Sequence, residues 1–161
     1  MPDATSTTTT ELRALIEEAS GLVDAMFDPE VQMMAYILSV LPDGKKAIMS
    51  CPIAGPSEER AFRILMPLKL GTWGHSRWVF FTEAWAASYD AGESPRAVYP
   101  KARPDRREIV TFAAQDAASG QRMVADREIV RNARGTGRLL PLAFRTHQIG
   151  FVIDDREQAT Q

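Results

Sequence analysis

The sequence predicts an α+β fold: a two-layer sandwich in which a mostly antiparallel sheet of about five or six strands carries two helices on one face. Three observations predict it. Apolar residues recur at spacings of three and four between Leu12 and Met26, the signature of one amphipathic helix. Strand-like runs come in pairs joined by short turn-forming segments, and such hairpins pair antiparallel. The chain has 161 residues, 45% of them hydrophobic, enough for one core and not two.

Residues 1–10 are polar and Thr-rich and are expected to be a disordered leader. The single α+β domain then runs over 11–153 and ends in a polar tail, 154–161. The first helix begins at Glu11, where Thr8 and Glu11 make a capping box and Thr10 is an alternative cap. Leu12, Leu15, Ile16, Ala19, Leu22, Val23 and Met26 form its apolar stripe, and Asp28-Pro29 ends it. Val31–Leu41 and Lys46–Cys51 are two strands joined by Pro42-Asp43-Gly44-Lys45, a turn with proline pre-setting the bend and glycine able to take positive φ.

The second helix follows Gly55-Pro56, with Ser57 as N-cap and Glu58 and Glu59 at its positive end. Ala61, Phe62, Leu65, Leu68 and Leu70 are its expected buried side, and Pro67 should kink or shorten it. Arg77–Trp85 is the strongest strand. Trp78, Phe80, Thr82 and Ala84 alternate with Val79, Phe81, Glu83 and Trp85, so both faces are largely apolar and the strand should be covered on both sides. A long Pro/Gly/charge-rich loop fills 88–106. Arg107–Gln115 and Gln121–Val130 form a second hairpin, and Gly150–Ile153 is a short final strand. Residues 138–149 have no assignable state.

Composition excludes more than it assigns. The net charge is −2, which supplies no overall attraction to nucleic acid. Acidic residues dominate the first 90 residues, twelve against seven Lys/Arg, and basic ones the remainder, twelve against nine. One cysteine, Cys51, excludes an internal disulfide and fits a reducing compartment, so a cytoplasmic location is expected. No signal-peptide pattern or membrane-spanning run is present. His75 and His147 have no metal-ligand spacing, Gly71-Thr-Trp-Gly74 lacks the lysine of a phosphate loop, and no cofactor or metal is implied.

Two constellations remain. Glu83 sits among aromatics, where a carboxylate must find a cation or take up a proton. It is either a buried ion-pair partner of Arg106 or Arg107, or a general acid/base with those arginines clamping an anion. The ion-pair reading is favoured, because acid–base chemistry needs a second group at a defined distance. The loop carrying Arg96, Tyr99, Lys101 and Arg103 is the candidate binding segment, a cationic stretch with an aromatic; its charges serve equally to protect a sheet edge. Asp126 and Glu128 share a strand face and are placed to meet Arg107 or Arg145 across the sheet.

The order of an apolar run, Glu83-Ala84-Trp85, a long loop, and Pro104, Arg106 or Arg107, and Glu108 before another strand resembles a family of small bacterial and phage-borne proteins with no assigned activity. The resemblance spans residues 31–131. It implies that the charged cluster belongs together, and it supplies no chemistry. The expected function is non-enzymatic: a small soluble protein acting through self-association or a protein partner. Nucleic acid is not an expected partner. The alternative is a hydrolase-like enzyme on a small anionic substrate, using Glu83 with Arg106 and Arg107.

Overall fold

The computed structural model describes residues 3–53, 56–87 and 102–145, with backbone alone at 56, 57, 59 and 60. Helix α1 (Ala4–Met26) leads into the hairpin β1 (Ala35–Val40) and β2 (Lys46–Cys51), then helix α2 (Pro56–Thr72). Strand β3 (Arg77–Ala86) is followed by β4 (Arg107–Asp116), β5 (Arg122–Arg131), β6 (Gly137–Leu139) and β7 (Ala143–Arg145). Every pairing is antiparallel, in the order β2-β1-β3-β4-β5-β6, with β7 also on β5. The class is α+β, as expected, with β6 and β7 formed within the stretch that the sequence left unassigned. The loop from 88 to 101, the Gly150–Ile153 strand and the tail lie outside the described residues.

The core follows from strand alternation. Tyr36, Phe81, Phe112, Ala125 and Phe144 are register partners across five strands, so their side chains share one face. Tyr36 and Phe112 stack on either side of Phe81 at 5.7 and 5.9 Å between centroids. Leu12, Leu15, Ile16, Ala19 and Val23 of α1 close over this row together with Val79, Val110 and Ile129. Each large apolar side chain fully buried there contributes about 1.5–3 kcal/mol. Arg77 ties the helix to the sheet by pairing with Glu11 at 2.5 Å and Asp116 at 3.1 Å.

Helix α2 takes the other face. Its Phe62, Met66 and Leu70 pack on Ile37, Trp78 and Phe80, the residues that alternate with the α1-facing set. The expectation of both helices on one face is therefore corrected: they sandwich the sheet between them. The apolar alternation on both sides of β3 is the reason, since neither Val79 and Phe81 nor Trp78 and Phe80 can be left in water without cost.

Three local details also differ from the sequence reading. Helix α1 starts at Ala4, inside the expected disordered leader, with the Asp3 side chain accepting from Thr5 N–H at 3.3 Å. Thr8, Thr9 and Thr10 donate their hydroxyls to carbonyls four residues back, so these polar residues are accommodated within the helix. Pro67 lies inside α2 without ending it. The helix ends at Thr72 and is closed by Gly74, whose φ is 79°, with His75 N–H donating to Leu70 O and Gly74 N–H to Gly71 O. This is a glycine-dependent C-terminal cap, which gives the Gly71–Gly74 pair a structural role.

Candidate functional site

Glu83 is buried, 5% exposed, and points toward α1 because it alternates with Thr82 and Ala84. On that face β4 contributes Glu108, and β5 contributes Arg127 and Arg131. Arg131 holds Glu108 through two bonds of 2.7 and 2.5 Å and donates to the carbonyls of Pro29 and Gly135, both at 2.9 Å. The Glu108 hydrogen bonds, outweighing burial, raise the Arg131 pKa, and the charge of Glu83 adds to the rise. Arg127 is buried and binds Asp24 at 2.6 Å, Leu140 O at 2.8 Å and Ser20 Oγ at 3.3 Å. The charged cluster at this end of the sheet thus ties α1 and the turn after it to β4 and β5.

The proposed partners of Glu83 divide between the faces. Arg107 alternates onto the α2 side and pairs with Glu128 at 3.7 Å, so it is not the counter-charge of Glu83. Trp85 lies under the Arg106 guanidinium, 5.3 Å from the ring centre. Arg107 is therefore separated from Glu83, since β-strand alternation sends the two to opposite sides, whereas Arg106 lies over Trp85, which shares the Glu83 side of β3. The cross-strand pairing read from Asp126 and Glu128 is present. Arg107 meets Glu128, and Arg145 grips Asp126 with both Nε and Nη2. Arg103 binds Asp105 at 2.9 Å, whereas Arg96, Tyr99 and Lys101 lie outside the described residues.

The α2 side of the sheet holds a cavity of about 400 Å³. Phe62, Met66 and Leu70 form one wall and Trp78, Phe80 and Val124 much of its floor. Its origin is legible in β4. Phe80, Ala113 and Val124 are cross-strand partners on this face, and the methyl group of Ala113 leaves a hollow between larger neighbours. Thr111 and Gln115 of β4, Arg63 of α2 and Arg122 of β5 add polar groups to the lining. Glu83 lies on the opposite face and is not part of it.

Two further features escaped the sequence reading. Ala61, Leu65 and Leu68, expected inside, face outward with Ile64, and Trp73 continues the patch beyond the helix. Ile64, Leu65 and Leu68 are each more than half exposed, at 62, 53 and 65%. The signal was the doubled pattern: residues 62, 66 and 70 make one stripe and 61, 64, 65 and 68 another, and the sheet covers only one. The second feature is a buried pair, Ser39 Oγ to His75 Nδ1 at 2.6 Å, formed between residues 36 apart in sequence. It joins β1 to the cap of α2 and carries no acidic third member among the described residues.

Burial pushes the Cys51 thiol up to about 11, which leaves it protonated and unreactive. Among the described residues, no group of three His, Cys, Asp or Glu side chains is placed to hold a metal ion. None of the described helices is long and apolar enough to cross a membrane. The chain matches no protein-family model, no curated protein and no solved structure.

Proposed function

We propose that this protein works by association and not by turnover, and that the outer stripe of α2 is the surface it uses. The observation that carries this reading is the exposed apolar run Ile64, Leu65 and Leu68, extended by Trp73, on a helix already anchored to the sheet by its other side. Burial of Glu83 away from the cavity and the separation of Arg107 from it weigh against the hydrolase reading. The free thiol of Cys51 suits a cytoplasmic setting.

The favoured partner is a second copy of the chain. Glu58 and Lys69 are both exposed and stand eleven residues apart, about three helical turns, on one edge of the stripe. Two α2 helices crossing antiparallel at Ile64 and Leu65 bury both stripes. They also bring Glu58 of each copy beside Lys69 of the other.

Light scattering over a concentration series tests this. The expected result is a mass rising above the monomer value and returning to it in the Leu65→Glu/Leu68→Glu double variant, with the fold unchanged by circular dichroism. Lys69→Glu should weaken the dimer and Glu58→Lys/Lys69→Glu restore it. A wild-type protein that stays monomeric up to about 200 μM, well above the micromolar Kd of a modest interface, would remove self-association from the reading.

A further inference from the structure

We propose that the cavity beneath α2 is a binding site for a small amphipathic anion, a carboxylate on a short apolar body. This goes beyond the association reading and uses the opposite side of the same helix.

The space is about 400 Å³, at the small end of the range occupied by small-molecule sites. Its walls are mainly apolar: Phe62, Met66 and Leu70 from α2 face Trp78, Phe80 and Val124 of the sheet. The polar groups among its described lining are few and of one charge. Arg63 and Arg122 are the charged members of the described lining. Arg122 is exposed and has no ion-pair partner among the described residues. The Arg63 guanidinium lies 5.3 Å from the centre of the Phe80 ring, which places a cation against the apolar floor.

Thr111 is 2% exposed and adds a hydroxyl to the lining, at the register position beside Asp126. Its neighbour Asp126 is excluded from recognising a cation here, because Arg145 already engages both of its oxygens. The ligand that fits therefore has an apolar body to lie along Phe62 and Phe80 and one negative head for Arg122. An octanoate-sized carboxylate combines these features, and a neutral alcohol of equal length lacks the charge.

Titration of the full chain with octanoate and with 1-octanol, followed by calorimetry and by the fluorescence of Trp78, tests the site. Octanoate is expected to bind saturably and 1-octanol at least about tenfold more weakly, the factor that loss of one charge-assisted contact gives. Arg122→Glu, at an exposed position, should weaken octanoate by a similar factor while leaving the fold intact. Ala113→Phe, which fills the hollow, should abolish binding. If that variant does not fold, Arg122→Glu alone carries the test. Leu65→Glu/Leu68→Glu should bind octanoate like wild type, since those residues lie outside the cavity. Absence of saturable binding, equal affinity for the alcohol, an unaffected Arg122→Glu variant, full affinity in a folded Ala113→Phe variant, or loss of binding in the outer-stripe variant would each overturn the proposal.

Discussion

Asp126 shows what a single buried carboxylate demands of its surroundings. It is 2% exposed, and Arg145 satisfies it through two guanidinium nitrogens. Arg145→Ala leaves that charge buried without its partner and should cost about 3 kcal/mol. Urea unfolding would measure this, and a loss within about 0.5 kcal/mol would mean that Asp126 is no more than an ordinary surface residue in energetic terms. Asp116 provides a second, pH-readable case. Burial disfavours its charge, but the Ser119 hydroxyl and N–H and the charge of Arg77 together outweigh burial and lower its pKa. The folded carboxyl therefore holds its proton less tightly than the unfolded one. Its contribution to stability is present above the ordinary Asp range, near about pH 4, and is lost as pH falls through the lower folded value. Asp116→Asn should flatten the acid limb of stability below about pH 4, measured by thermal melts. An unchanged limb would assign acid unfolding to other carboxylates.

At the scale of elements, the two helices differ in what holds them. Helix α1 has one apolar stripe buried over the aromatic row, but its first two turns are largely exposed and depend on local bonds. Gln121 Nε2 gives Thr9 a tertiary contact at 2.6 Å, which marks where the packed part begins. Asp3→Ala should fray the turns before Thr9, lowering the helical signal in circular dichroism, at a global cost of no more than about 1 kcal/mol. A cooperative loss larger than this would show the first turns to be part of the packed unit. Helix α2 has two apolar stripes and only one sheet to cover them. Sequence periodicity identified the helix but mixed its two stripes: Phe62 and Leu70 pack on the sheet as expected, whereas Leu65 and Leu68, just as apolar, face outward. The choice between the stripes is made by the shape of the α2 side of β1 and β3, which no window of local sequence contains.

At the scale of the molecule, the sheet is the organising object, and Cys51 reports on its integrity. The thiol sits in the α2-side core at the end of β2, with its pKa pushed up to about 11. Since the folded value is raised above the ordinary one of about 8.5, its contribution to stability is complete below about pH 8.5 and is lost as pH rises toward 11. Native protein at pH 8 should react with a thiol reagent only as fast as this core opens, and urea should accelerate labelling in step with unfolding. Fast labelling of the native state would place Cys51 outside the cooperative core.

Much of this architecture was legible in the chain itself. The α1 stripe, the turn at Gly44, the two hairpins, the double-sided alternation of β3 and the pairing of Arg107 and Arg145 with the β5 acids all rest on local periodicity, which the backbone converts directly into sides of a helix or strand. The pairing of Asp126 and Glu128 was readable because alternation fixed their face and only opposite charge was needed across the sheet. What local pattern did not contain was decided by tertiary packing. The helices divide between the two faces because β3 has two apolar sides to cover. Arg107 lies away from Glu83 because its strand sends alternate side chains in opposite directions, which adjacency to Arg106 in the sequence does not reveal. The hollow at Ala113 and the contact of Ser39 with His75 exist only once distant strands and helices are brought together. The sequence determined which segments become helix and strand and which of their edges are apolar; the packed sheet alone decided which edges meet, and which remain to meet something else.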